Sequence, residues 1–239
     1  MKTAPPRITL VIPVYNEETN LPVLYQELVQ AMGDLSWEVL FVDDGGTDGG
    51  IDVLRGLADR DERVRYLSFE ANRGQSAAFA AGFAEAEGEI LVTLDADLQN
   101  DPADIPRMLA IYDQGWDMVI GRRSRRQDTA VKRLASRFAN ALRNSLTNEN
   151  ITDTGCSLKV MRASMAKRLA MFRGMHRFLP TLMKMEGARV EEVDVNHRPR
   201  LYGVSKYGIW DRAWSGFCDL LAVRWMQRRH LSWRIRERR

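Results

Sequence analysis

The feature that most constrains the fold is a short apolar run that ends in an acidic pair. Segment 88–97 reads GEILVTLDAD, in which the apolar residues 90–94 are followed at once by Asp95 and Asp97. A run of this length with β-branched residues is typical of a buried strand. Because residues i and i+2 of an extended chain point the same way, the two carboxylates can share one hard cation. The alternative interpretation is an acidic turn that caps the helix expected near Pro102.

The first half of the chain repeats the order strand, polar loop, helix. Apolar runs at 7–14, 37–42, 64–69 and 89–94 predict strands, and amphipathic segments between them predict helices. This spacing predicts an α/β fold with a mostly parallel sheet and helices on both faces. Such sheets bind ligands at the carboxyl ends of their strands. Here those ends hold Tyr15, Asn16 and Glu17; Asp43 and Asp44; Asn72, Arg73 and Gly74; and Asp95 and Asp97.

The second half of the chain predicts fewer elements. Segments 116–121, 153–161 and 188–196 have the character of strands, and 164–172 and 176–186 that of helices. An arginine-rich loop follows the first of these strands and leads into a further amphipathic segment.

The C-terminal segment is both aromatic and basic. Trp210, Trp214, Phe217, Leu221 and Trp225 recur at steps of three or four residues, which predicts a helix with one apolar stripe. Arginines around such a stripe are typical of a helix that lies among lipid headgroups, although the stripe also suits packing against the domain. We therefore divide the chain into a main α/β domain, 1–206, and a C-terminal segment, 207–239, that is expected to associate with a membrane.

Composition narrows the class and the compartment. The 239 residues carry a formal charge of only +3, and the basic C-terminal end contains no recognised nucleic-acid-binding module, so a nucleic-acid partner is not expected. Cys156 and Cys218 belong to no CxxC pair, which favours neither a disulfide framework nor a zinc site and suits a reducing cytoplasm. The apolar runs fall short of the roughly 18 residues that cross a bilayer. The oligomeric state is not indicated.

Several common nucleotide sites are excluded by their motifs. The chain has no GxGxxG after its first strand, no GxxxxGK[ST] loop and no GxSxG elbow, and its first loop is not the glycine-rich one of sugar nucleotidyltransferases. A metal-held nucleotide remains, with Asp43 accepting an N–H of uracil or guanine and Glu17 accepting ribose hydroxyls. An Asp-rich turn with helix capping explains Asp43, Asp44 and Asp48 about as well.

Five motifs in order carry a family resemblance: IPVYNEETNL, VDDGGTDGG, ANRGQSAAFAAGF, TLDADLQNDP and RPRLYGVSKYG. Over about residues 7 to 210 the chain resembles the family-2 inverting glycosyltransferases, which have the GT-A fold. Within that family it is most similar to the branch that makes dolichyl- or polyprenyl-phosphate sugars. The resemblance implies a nucleotide-sugar donor, a polyprenyl phosphate acceptor, Mg²⁺ or Mn²⁺ as cofactor, and a place on the cytoplasmic face of a membrane.

The resemblance also implies roles for matching residues. Contacts to the nucleotide sugar would come from Pro13, Tyr15, Glu17, Asp43, Asp44, Asn72, Gly74, Asp95 and Ala96, with Arg123 and Arg137 on its phosphates. The metal would be held by Asp95, Asp97 and Gln99, and the acceptor phosphate by Arg200 and Lys206. Departures from the family pattern, at Gly46, Gly50 and Gln75 and in the segment LQNDP, leave the donor sugar undetermined. The choice between UDP and GDP also stays open.

The implied reaction is an inverting displacement at the anomeric carbon. Asp97, through the metal, and Arg123 would neutralise charge on the departing diphosphate. A lipid phosphate needs little help from a base, whereas a glycan or protein hydroxyl would require one, and Asp153 is then the first candidate. That hydroxyl acceptor is the alternative function. A binding protein without turnover is disfavoured by the intact Asp95 and Asp97.

Overall fold

The computed structural model describes residues 5–123, 144, 151–199, 209–231 and 237, with side chains of the last helix from residue 216 onward. Within these residues seven strands form one sheet in the order β3-β2-β1-β4-β6-β5-β7. The strands are β1 (Ile8–Val14), β2 (Trp37–Asp43), β3 (Val64–Ser68), β4 (Ile90–Thr93), β5 (Met118–Arg123), β6 (Lys159–Arg162) and β7 (Val190–Val195).

Seven α-helices are described along the same residues. They are α1 (Leu21–Met32), α2 (Gly50–Ala58), α3 (Gln75–Glu85), α4 (Ile105–Tyr112), α5 (Ala163–Ala166), α6 (Leu179–Met185) and α7 (Ile209–Arg229). Two 3₁₀ segments, Pro102–Asp104 and Met175–Phe178, precede α4 and α6.

The sheet is mostly parallel, as the alternation of strands and helices predicted. Strands β1, β2, β3 and β4 run parallel to one another, and β5 pairs in parallel with β7. The exception is β6, which lies antiparallel between β4 and β5. The carboxyl ends of β1, β2 and β4 therefore meet at one edge of the sheet.

Helices cover both faces of the sheet because its strands are apolar on both sides. Along β1, Ile8, Leu10 and Ile12 belong to the core that includes α1 and α4, whereas Val11 belongs to the core that includes α3. Alternate residues of a strand face opposite sides, so one apolar run supplies two cores. Gly82 lets α3 approach β1 closely, because a Cβ at that position would collide with Val11. This packing fixes the start of α3 beside the polar edge.

Element boundaries differ from the sequence prediction mainly after β5. The predicted strand 153–161 begins only at Lys159, because residues 153–158 form a loop over the polar edge, and the predicted helix 164–172 is the four-residue α5. The predicted helix 176–186 is divided into the 3₁₀ segment Met175–Phe178 and α6. Pro180 stands in the first turn of α6, where its missing N–H costs nothing. Apart from Asn144, the predicted amphipathic segment after β5 lies outside the described residues.

The C-terminal helix α7 presents two apolar faces. Leu220 and Val223 are buried against Met175, Phe178 and Leu182. Phe217, Leu221 and Trp225, from the predicted stripe, are 40%, 47% and 64% exposed. The helix thus packs on the domain with one face and leaves the other outside. Over the described part of the chain, no helix is both long and apolar enough to cross a bilayer.

Candidate active site

A cleft opens where β1, β2 and β4 end. Its cavity of about 230 Å³ lies between the loops that follow these strands and the start of α3. Most of the predicted nucleotide-sugar residues meet here. The lining comprises Pro13, Val14, Tyr15, Glu17, Asp44, Asn72, Gly74, Gln75, Asp95, Ala96 and Asp97.

The acidic loop after β4 has an unusual backbone. Leu98 is buried yet has a φ of 59°, a left-handed conformation that a bulky residue rarely adopts. Such outliers concentrate at functional sites, where the surrounding structure holds them. The helix-capping role proposed for the acidic pair is performed by Asp101, whose side chain accepts from the N–H of Ala103 at 3.0 Å. Asp95 and Asp97 are therefore not used as caps of that 3₁₀ segment.

Asp95 is held from two sides. Its Oδ1 accepts a hydrogen bond from Gln75 Nε2 at 2.6 Å, and its backbone N–H donates to Ser157 Oγ at 3.2 Å. Burial raises the pKa of Asp95, and the neighbouring charge of Asp97 raises it further. Both effects disfavour the state in which the two adjacent carboxyl groups are ionised, and the positive charge of a bound cation would offset them.

The donor set fits a hard cation that completes its shell elsewhere. Asp95 and Asp97 offer carboxylate oxygens and Gln99 follows as an amide, which are the ligand types that Mg²⁺ and Mn²⁺ take. Among the described residues no three His, Cys, Asp or Glu side chains form a metal-binding group. A cation here would therefore keep positions for water or substrate oxygens.

The two acids after β2 differ in position. Asp44 lines the cleft, and its carboxylate accepts from the backbone N–H groups of Arg73 at 2.7 Å and Gly74 at 2.8 Å. Asp43 does not line the cavity, and its oxygens accept from Gly46 N–H at 2.9 Å and Ser68 Oγ at 2.7 Å. The turn-forming interpretation thus describes both acids in this structure, while Asp44 also borders the cleft.

Arg123 and Asp153 lie together outside the cleft lining. Arg123 donates from Nε to Asp153 Oδ2 at 2.7 Å and from Nη2 to Oδ1 at 2.8 Å. Only 15% and 10% of their side-chain surfaces are exposed. Since both carboxylate oxygens accept from Arg123, Asp153 serves here to orient the guanidinium.

The chain after β7 returns to the acidic loop. The backbone N–H of Arg198 donates to the carbonyl of Gln99 at 2.8 Å, and Asn100 forms an antiparallel bridge with His197. Arg198 also pairs with Glu27 at 2.7 Å. Three predicted site residues, Arg137, Arg200 and Lys206, lie outside the described residues.

A second cavity, of about 380 Å³, borders the first. The two share Gln75 and Asp95, and the second is further lined by Lys159, His176 and Arg177. Sequence reasoning did not select Lys159, although a lysine inside the apolar run LKVM was a signal. It also noted Gln75 only as a departure from the family pattern and did not select His176.

A family model for glycosyl transferase family 2 matches residues 9–170. The chain belongs to glycosyl transferase family 2. Among its relatives, an undecaprenyl-phosphate 4-deoxy-4-formamido-L-arabinose transferase from Edwardsiella ictaluri is 38% identical over 205 residues, which are 84% of this chain and 63% of that protein. A dodecaprenyl-phosphate galacturonate synthase from Rhizobium johnstonii is 37% identical over 92% of this chain and 67% of that one. The chain thus spans about two thirds of the length of these relatives.

A solved structure of similar shape confirms the GT-A fold of this family-2 chain. Glucosyl-3-phosphoglycerate synthase from Mycobacterium tuberculosis, crystallised with Mn²⁺ and UDP-glucose, superposes with a TM-score of 0.68 at 16% identity. The match covers 95% of this chain and 80% of that one. In the present chain, the polar edge that the sequence predicted corresponds to the cleft after β1, β2 and β4.

Proposed function

We propose that the chain transfers a sugar, with inversion, from a UDP- or GDP-linked donor to a polyprenyl phosphate on the cytoplasmic face of a membrane. The observation that carries the proposal is the cleft itself. The predicted nucleotide residues Tyr15, Glu17 and Gly74 converge there on Asp95 and Asp97. The names of the relatives support the acceptor, since two different sugars are paired in them with a polyprenyl phosphate.

The divalent cation, Mg²⁺ or Mn²⁺, would be held by Asp95, Asp97 and Gln99. When bound, it supplies positive charge that stabilises the diphosphate leaving group. The solved neighbour that contains Mn²⁺ together with UDP-glucose supports the choice of a divalent metal.

The protein's own groups position the donor and balance charge. Glu17 accepts hydrogen bonds from the ribose, while Pro13 and Tyr15 border the base, and Asp44 fixes the loop that carries Asn72 and Gly74. Arg123, oriented by Asp153, lies near enough to Asp95 to feel its charge and would face the donor phosphates. Arg137 would join it there.

The acceptor side favours a phosphate over a hydroxyl. A phosphate monoester is largely ionised near neutral pH, so its attack requires positioning more than a base. The base that a hydroxyl acceptor would need is poorly provided by Asp153, because Arg123 occupies both its oxygens. Arg200 and Lys206 follow Arg198, whose backbone is bonded to Gln99, and they would bind the lipid phosphate.

Membrane contact would come from α7. Its exposed side chains Phe217, Leu221 and Trp225 form a stripe at four-residue spacing, with Arg224 and Arg228 nearby on the same helix. Indole rings and arginines are both favoured in the headgroup layer. The helix would therefore lie on the bilayer that contains the lipid acceptor.

The test is a transfer assay with the purified chain. Radiolabelled UDP- and GDP-sugars are offered with undecaprenyl phosphate in Mg²⁺ or Mn²⁺, and the glycolipid is extracted. We expect a product that disappears with EDTA and in Asp97→Asn but persists in the control Asp34→Asn, whose side chain lies in an exposed turn. Full activity in EDTA, or transfer to hydroxyl acceptors alone, contradicts the proposal.

A further inference from the structure

The second cavity is the space next to a donor bound at Asp95. It shares Gln75 and Asp95 with the nucleotide cleft, so the two cavities meet at the predicted diphosphate site. A nucleotide sugar whose diphosphate lies at Asp95 must extend its sugar ring away from the base. The second cavity, of about 380 Å³, is the adjoining room for that ring.

Two basic side chains, Lys159 and Arg177, line this cavity. Lys159 is only 3% exposed, and its Nζ donates to the backbone carbonyl of Cys156. Arg177 lies on the 3₁₀ segment Met175–Phe178. In the part of the chain that the structure describes, neither side chain forms an ion pair. Among the described residues of the lining, the one carboxylate is Asp95, whose Oδ1 accepts a hydrogen bond from Gln75.

The neighbouring titratable groups of the described residues set the charge around this cavity. His176 is neutral, since burial lowers its pKa to about 3, and its Nδ1 lies 2.8 Å from Ser76 Oγ. Burial also lowers the pKa of Lys159, and the charges of Asp95 and Asp153 offset part of that effect. Across the 3₁₀ segment, burial raises the pKa of Asp219 of α7, and the charge of Arg177 lowers it in part.

We propose that this cavity binds a carboxylate on the donor's sugar, with Lys159 and Arg177 as its partners, so that the donor is a nucleotide-linked uronic acid. A buried cation recovers its lost hydration when an anion binds beside it, and arginine suits a carboxylate in particular. The inference rests on the proposed function, because that function places the diphosphate at Asp95. The lipid's phosphate is the other anion that could use these cations.

The experiment measures donor binding by calorimetry in Mn²⁺, without lipid. UDP, UDP-glucose and UDP-glucuronate are compared, as are GDP, GDP-mannose and GDP-mannuronate. The variant is Arg177→Gln. Its matched control is Arg173→Gln, which alters an exposed arginine four residues away that does not line the cavity.

We expect the uronate to bind about tenfold or more tightly than the matching hexose, the scale of one hydrogen bond to a charged group. Arg177→Gln should remove most of that preference and leave the affinity for the bare nucleotide within about twofold. Arg173→Gln should keep the preference. Lys159→Met should act like Arg177→Gln if it folds, but the test does not depend on it.

Other outcomes overturn the inference separately from the proposed function. If the hexose and the uronate bind equally to the wild-type chain, the sugar carboxylate is not recognised. If Arg177→Gln instead raises only the apparent KM for undecaprenyl phosphate in the transfer assay, the cavity serves the acceptor. Failure of the bare nucleotides to bind in Mn²⁺ would contradict the proposed function itself.

Discussion

Arg123 and Asp153 form a two-point ion pair, with Nε 2.7 Å from Oδ2 and Nη2 2.8 Å from Oδ1. The backbone N–H of Arg123 donates to the same carboxylate at 3.2 Å. Asp153 therefore fixes both the main chain and the guanidinium at the end of β5. Loss of Asp153 should leave a mostly buried cation unpaired.

We expect Asp153→Ala to lower the free energy of unfolding by about 3–5 kcal/mol, as when one partner of a buried ion pair is removed. The double variant Arg123→Met/Asp153→Leu should recover much of that loss, because no charge is left behind. Urea unfolding of both variants measures the difference. Equal destabilisation of the two would show that packing, not charge, holds this position.

The acidic loop should be required for the metal and not for the fold. Asp97→Asn removes one of two adjacent carboxylates whose repulsion, with burial, raises the pKa of Asp95. We expect nucleotide binding to lose its dependence on Mn²⁺, while the Tm is unchanged or slightly higher because that repulsion is relieved. Calorimetry and thermal unfolding report the two effects. A large fall in Tm would mean that Asp97 is needed to hold the loop.

We expect the free energy of unfolding to depend on pH through Tyr25, which donates a hydrogen bond to Asp61. Burial and that hydrogen bond raise the pKa of Tyr25 from 10.0 to about 12. A raised folded-state pKa gives stability that is complete below pH 10 and is lost as the pH rises through about 12. We expect Tyr25→Phe to cost about 1 kcal/mol at neutral pH and to flatten the alkaline part of the stability curve.

Asp61, the acceptor in the same hydrogen bond, should make the stability depend on pH in the acid range. A hydrogen bond from Arg63 holds the pKa of Asp61 well below its usual 3.8. Its contribution is therefore present above that value and is lost as the pH falls below it. Denaturant unfolding from pH 2 to 11 should show the acid loss in wild type and in Tyr25→Phe, but not in Asp61→Asn. If Tyr25→Phe still loses stability at alkaline pH, that loss comes from groups other than Tyr25.

The two faces of α7 should have different roles. The exposed face should affect membrane binding, and the buried face should affect stability. Trp225→Ser and Leu221→Ser remove exposed side chains and should reduce co-sedimentation with anionic liposomes without lowering the Tm. Leu220→Ser and Val223→Ser alter buried neighbours of Met175 and should lower the Tm with little effect on adsorption per folded molecule. Retention on liposomes should fall with added salt. If the exposed and buried pairs behave alike, the stripe does not contact lipid.

Local signals predicted the first half of the chain well. The run 90–94 and its exit acids, together with the alternation of strands and helices, led to the parallel sheet and to a polar edge that contains Asp95 and Asp97. These signals are short-range, and parallel strands bring their carboxyl ends together without further information. The sequence could not show that Asp43 turns its oxygens toward Gly46 and Ser68.

Long-range pairing explains what sequence patterns missed. Ser157 contacts Asp95 because β6 lies antiparallel between β4 and β5. The hydrophobic periodicity of the sequence does not predict this strand order. The same insertion buries Lys159. The stripe on α7 was visible in the sequence, whereas the burial of Leu220 and Val223 depends on where the 3₁₀ segment lies.

That buried cluster connects α7 to the second cavity. Met175 and Phe178 are held by Leu220 and Val223, and between them in the chain stand His176 and Arg177, which line the second cavity. If the chain were shortened before α7, the 3₁₀ segment Met175–Phe178 would lose its packing against Leu220 and Val223. Donor preferences measured on such a shortened chain would then describe a relaxed pocket, and a bulky tag that displaces α7 would mislead in the same way.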